Sequence, residues 1–130
     1  MKEYVSYRVR KAFEAYDDAL ILATHSRWNA CVNRLYYACF YMISALAIQN
    51  DFESLTHSGL KTLFSLHFIK TGKVSREFGK LYSDLFDWRQ KGDYNDHFDF
   101  DKESIEPVIP IVKAFLDVLA DLIGVEEETD

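Results

Sequence analysis

RWNACVNRLYYACFYMISALAIQ, residues 27–49, decides how the rest of the chain is read. It holds neither glycine nor proline, and apolar or small side chains surround almost its whole circumference. A helix apolar on every side sits at the centre of a bundle or is shared with a partner chain. At 100° per residue, Ala30, Asn33, Tyr37, Tyr41, Ser44 and Ile48 fall on one narrow band, with Arg34 at its edge. Trp28, Cys31, Leu35, Cys39, Met42 and Leu46, on the remaining surface, are ordinary core material. An amide, a hydroxyl, two phenols and a guanidinium on an otherwise apolar helix must find hydrogen-bonding partners. The band therefore faces another polar element, a second subunit or a ligand, or it forms an internal network that fixes helix register.

Helical spacing continues on both sides of this segment. Val5, Val9, Ala12, Tyr16, Ala19 and Ala23 make one stripe and predict a first helix over residues 3–24. LTHSG opens a third helix with Leu60, Leu63, Phe64 and Phe68 inward, and Thr56 or Ser54 as its cap. Gly72 ends that helix and Ser75 can cap the next. The fourth carries Phe78, Leu81, Tyr82 and Leu85 and is expected to stop at Gly92. The fifth carries Ile105, Val108, Ile109, Val112, Phe115, Leu116, Leu119 and Leu122. Pro107 suits a first turn, whereas Pro110 requires a later start or a bend. The prediction is an all-α, up-and-down bundle of four main helices plus one shorter helix. Residues 1–124 form the helical domain, and residues 125–130 an acidic C-terminal tail.

Composition bounds the function. The 130 residues carry a formal net charge of −6, 48% hydrophobic and 15% aromatic residues. One domain with a sizeable core follows. So does the absence of a basic stripe for DNA or non-specific nucleic-acid binding. The basic groups at Arg8, Arg10 and Lys11, and at Lys70, Lys73, Arg76 and Lys80, read as solvated helix faces. Cys31 and Cys39 share one helix about 12 Å apart, too far for a disulfide, and read as small buried hydrophobes. The charged N-terminus, without a run of about 18 apolar residues, predicts a cytoplasmic protein with no membrane span.

The stretch DWRQKGDYNDHF, residues 87–98, concentrates the chemistry. Phe78, Tyr82, Leu85 and Arg89 make one stripe, so Arg89 extends an inward row. A buried guanidinium needs an acid or a phosphate. A tethering salt bridge to Asp93, one turn later, is one solution and a bound phosphate the other. His67 reads as a core residue, His25 as a surface or capping residue, and His97 as solvent-exposed. His57, opening the third helix, could donate to the polar band or bind an anion. No metal-ligand spacing, phosphate loop or nucleophilic triad is present, so neither metal nor cofactor is expected. Asp93, Asp96, Asp99 and Asp101 lack the glycine and glutamate of a calcium loop.

NRLYYACFYMISALA, then THSGLKTLFSLHFIKTGKV, then LYSDLFDWRQKGDYND together resemble the HEPN (higher eukaryotes and prokaryotes nucleotide-binding) family, over about residues 5–120 and in family order. The likeness is to its short stand-alone prokaryotic members. It implies a homodimer formed through the helices that carry these motifs. It also implies a possible minimal nucleotidyltransferase partner in a toxin–antitoxin pair. Many members are metal-independent ribonucleases in which an arginine and a histidine, four to six residues apart, meet at a shared cleft. Arg89 stands at the place of the motif arginine. Residues 94–96 read Tyr94, Asn95 and Asp96 where the histidine should be, and His97 comes one residue later. This R-x-x-x-D-Y pattern implies a binding module, with Asn33, Arg34, Tyr37, His57, Arg89, Asp93 and Tyr94 as its ligand-binding groove and a nucleotide or RNA as ligand. The alternatives are a ribonuclease toxin using Arg89 with His97 or Tyr94 as catalytic residues, and a purely structural dimer.

Overall fold

A computed structural model of the protein describes residues 2–54 and 56–124. The expected acidic tail lies outside the described residues. Helix α1 spans Lys2–Thr24, α2 Trp28–Gln49, α3 His57–Phe64, α4 Arg76–Tyr94, α5 Lys102–Ile105 and α6 Ile109–Ile123. No strand occurs among the described residues. A π-helical turn, Ser65–Ile69, extends α3, and a 3₁₀ turn, Glu106–Val108, joins α5 to α6. The four long helices are α1, α2, α4 and α6 and the shorter one is α3 with its π turn, while the segment expected as a single fifth helix from Ile105 is divided into the one-turn α5, the 3₁₀ turn and α6.

Helix α2 is the axis of the bundle and packs on α1, α4, α6 and α3. Cys31, Val32, Leu35, Tyr36, Ala38, Cys39, Met42 and Ile43 are almost wholly excluded from solvent. Side-chain bonds fix its neighbours' directions. Asn33 meets Asp93 and Tyr37 meets Arg89, so α4 runs antiparallel to it. The Gln49 amide donates to the Ile123 carbonyl at 2.7 Å, which brings the C-terminal ends of α2 and α6 together. By length and average hydropathy α2 could cross a bilayer, yet most of it is buried inside the bundle, as a central helix is.

The ends of the helices show how local chemistry sets the boundaries. After α1, Arg27 N–H donates to Leu22 O and Ser26 N–H to Ala23 O, with Ser26 at φ 58°, a Schellman closure without glycine. The same pattern closes α2, where Phe52 N–H meets Ala47 O and Asp51 sits at φ 62°. Thr56 caps α3, its hydroxyl accepting from Gly59 N–H at 2.9 Å. Ser75 occupies the N-cap of α4 in extended backbone, but its side chain makes no capping hydrogen bond, contrary to expectation. Of the two alternatives for Pro110 the later start holds: α6 begins at Ile109, and Pro110 sits in its first turn, where no donor is missed.

Gly92 corrects the sequence reading. It does not end α4, which runs on to Tyr94. A Cβ at Gly92 would lie 3.3 Å from the Phe100 ring and 3.6 Å from Asn29. The glycine therefore lets the returning chain close against the helix. Asn29 completes that closure, donating to Phe98 O and accepting from Phe100 N–H, both at 2.8 Å.

Candidate functional site

Arg89 projects from the inward stripe of α4 and is only 8% exposed. Its guanidinium lies 4.6 Å from the Tyr36 ring centroid and 5.8 Å from that of Tyr37. One Nη donates a long hydrogen bond of 3.4 Å to the Tyr37 hydroxyl. The Nε–H is buried without a partner. The expected salt bridge to Asp93 is absent; among the described residues Arg89 pairs with no carboxylate. Asp93 instead accepts from the Asn33 amide at 3.0 Å. Extension of α4 past Gly92 places Asp93 on the outer edge, where it reaches α2 but not the inward guanidinium. Aromatic π-faces thus do part of the work of a counter-ion, and one charge-bearing donor is left over.

The polar band of α2 is the side of that helix which the bundle leaves partly open. Asn33, Arg34, Tyr37, Tyr41, Ser44 and Ile48 are half-buried between fully buried neighbours. Arg34 Nε and Nη2 donate to the Asn33 carbonyl oxygen at 3.1 and 2.9 Å. Its guanidinium lies 5.1 Å from the Tyr37 ring. Asn33 thereby accepts from Arg34 and donates to Asp93, and the three form one chain across α2 and α4. The internal network foreseen for this band exists, and it still leaves the band accessible.

His57 joins the cluster through a residue that sequence reasoning assigned to no site. The Tyr36 hydroxyl and His57 Nδ1 are 2.6 Å apart. The imidazole stacks on Phe40 at 4.3 Å and meets Tyr37 edge-on. Tyr36 stacks on Tyr82 with rings 7° from parallel. Burial, with the Arg89 charge adding to it, holds the His57 imidazole below its ordinary range. Burial pushes the Tyr36 phenol up, against smaller opposing effects of Tyr82 and Arg89. The available signal was the pair Tyr36–Tyr37: adjacent helical residues point about 100° apart, so one of two phenols had to be buried and in need of a partner.

The remaining candidates are not gathered in. Tyr94 closes α4 with 76% of its surface exposed, and no contact ties it to Arg89. His97 is exposed in the loop after α4, where its backbone N–H is held by the Asn95 side chain. His25 is a surface residue. His67 is half-buried and stacks on Phe52 at 4.3 Å, so it flanks the core without belonging to it. Cys31 and Cys39 are free and buried. Burial raises both thiols, that of Cys31 to about 11. Among the described residues no three His, Cys, Asp or Glu side chains converge on a position that could hold a metal ion.

Residues 5–122 match the model of the HEPN domain. The chain belongs to the HEPN family. A UPF0332 protein of Thermotoga maritima is 38% identical over 94% of this HEPN chain and 92% of its own length. Two proteins of Methanocaldococcus jannaschii are also similar. "Putative toxin MJ0142" is 28% identical over 75% of this chain and 67% of its own, and "Putative toxin MJ0605" 26% over 90% and 87%. The match takes in every helix that builds the Arg89 cluster.

Proposed function

We propose that this HEPN protein is a cytoplasmic, homodimeric binding module for a nucleotide or RNA, acting as the toxin-side member of a toxin–antitoxin pair whose other member is a minimal nucleotidyltransferase. The observation that carries the reading is Arg89, a buried guanidinium with an unpartnered Nε–H and, among the described residues, no carboxylate partner. Leaving such a charge uncompensated is costly, and a ligand phosphate supplies both the missing charge and the acceptors. The half-open band of Asn33, Arg34 and Tyr37 beside it offers a ring for base stacking and an amide for orientation. A second copy seated on this band would complete the cleft. The relatives named as toxins support the pairing.

Fluorescence anisotropy with a short labelled oligouridylate tests the binding. Saturable binding that disappears in Arg89→Ala is expected; equal binding by the variant removes Arg89 from the site. Light scattering at micromolar concentration should give twice the 15.2 kDa chain mass, and a clean single-chain mass would end the shared-cleft reading. A ribonuclease reading uses the same arginine, and the toxin names favour it. RNA cleavage and growth arrest that are both lost in Arg89→Ala would establish it. The imidazole that shares rings with Arg89 is then His57 rather than His97.

A further inference from the structure

A groove of about 660 Å³ opens beside His57, where α1, the second half of α2 and the start of α3 meet. Arg89 does not line it. Its apolar floor includes Phe40, Ala47, Ile48 and Leu60, and its polar groups are sorted by sign along α2. His57 stacks on Phe40, and Arg8 lies 5.6 Å from the Tyr41 ring, so these two stand at the same level. Arg8 is held there by the Tyr4 hydroxyl at 2.7 Å. Asp51 and Glu53 follow the end of α2, which lies about 13 Å beyond Phe40 along the helix axis at 1.5 Å per residue. One end of the groove is cationic and the other acidic.

What His57 presents to this groove is set from behind. The buried Tyr36 hydroxyl and His57 Nδ1 share a 2.6 Å contact whose direction is set by the imidazole tautomer, and with the phenol as donor Nδ1 accepts. A neutral imidazole that accepts at Nδ1 carries its proton at Nε2. In that tautomer the nitrogen left for the groove is a donor, not a base.

We propose that this groove is a second ligand site, distinct from Arg89, for a small phosphorylated molecule with hydrogen-bond donors at its far end, such as a nucleoside monophosphate. His57 Nε2–H and the Arg8 guanidinium receive the phosphate, the apolar floor receives the body, and Asp51 and Glu53 accept from its hydroxyl or amine groups. The site goes beyond the proposed function and does not rest on it. A volume of several hundred Å³ is the scale of small-molecule sites.

AMP is the probe. A long-range ¹H–¹⁵N spectrum of the unmodified protein at neutral pH should show His57 with the Nε2–H tautomer, and AMP should shift its ring signals saturably. Arg8→Gln should weaken that saturation about tenfold. His57→Ala should weaken it as much, whereas His57→Gln, which keeps a donor near the Nε2 position, should retain most of the affinity. In Arg89→Ala the AMP response should persist even though oligouridylate binding is lost, which separates the two sites. A His57 ring protonated at Nδ1, or no saturable shift with millimolar AMP in the unmodified protein, overturns the proposal. Equal loss in His57→Gln and His57→Ala does so too. Loss of oligouridylate binding's dependence on Arg89, with the AMP response intact, overturns only the proposed function.

Discussion

Replacing Arg89 by methionine should leave the fold as stable as before, or slightly more stable, while removing ligand binding. Methionine is unbranched and can lie along the Tyr36 ring where the guanidinium stem now runs. The change gives up a cation–π contact at 4.6 Å, about 0.5–2 kcal/mol. It also gives up a 3.4 Å hydrogen bond to Tyr37, less than about 1 kcal/mol at that length. In return it removes the cost of the buried, unpartnered Nε–H, about 1–3 kcal/mol. At mid-range these terms nearly cancel, and their extremes run from about 2 kcal/mol against the variant to about 2.5 kcal/mol in its favour. Urea unfolding at fixed protein concentration in phosphate-free buffer reads it as a midpoint shift at constant slope. Leu85→Ala, at a fully buried position on the same stripe, should lose about 2–5 kcal/mol and calibrates the assay. A loss of 2 kcal/mol or more in Arg89→Met would show that the arginine is there for the fold, and the phosphate reading would fall with it.

Three further outcomes follow from the geometry. Asn29→Ala removes both hydrogen bonds that hold the chain at Phe98 and Phe100, and should cost about 1–3 kcal/mol; hydrogen exchange should accelerate at Phe100 N–H, and unchanged exchange there would contradict the clamp. Thr56→Ala should cost about 0.5–2 kcal/mol through the lost cap on α3, and thermal unfolding should show Thr56→Ser nearly neutral by comparison. Because His57 titrates below its unfolded value, the unfolded chain takes up the proton first as pH falls. Its contribution to stability is therefore complete above about pH 6.5 and is lost as pH drops towards the folded value. Urea midpoints between pH 7.5 and 5 should fall less steeply in His57→Gln than in the unmodified protein, and parallel slopes would remove His57 as the cause.

The fold was legible because its signals are periodic and local. Stripes of Val, Ala and Tyr on α1, and the all-round apolar surface of α2, admit few arrangements other than a central helix in a bundle. Thr56 and the tight turn at Gly72 followed from residue chemistry in the same way. Gly92 misled because a glycine near a helix end has two physical uses. The sequence of α4 cannot distinguish a stop from a close approach by Phe100, which is distant in the chain until the fold forms. Arg89 was legible as inward-facing, yet its partners were not: Asp93 is near in sequence, whereas the Tyr36 and Tyr37 rings come from 53 and 52 residues earlier in the chain. Tyr36 was hidden by its own burial, since a phenol on an apolar face looks like core until its hydroxyl meets His57.

The condition of the two native thiols has a practical consequence. Cys31 and Cys39 are reduced, enclosed by the bundle and held in the protonated form, so electrophilic reagents at neutral pH will leave them untouched while the protein is folded. A cysteine installed at the outward ring position 94 would then be the reactive one, without any need to strip the native pair. Spin or dye labels attached there would report the separation between two chains in an assembled particle. Any sudden uptake of reagent at positions 31 and 39 would signal that the helical core had opened.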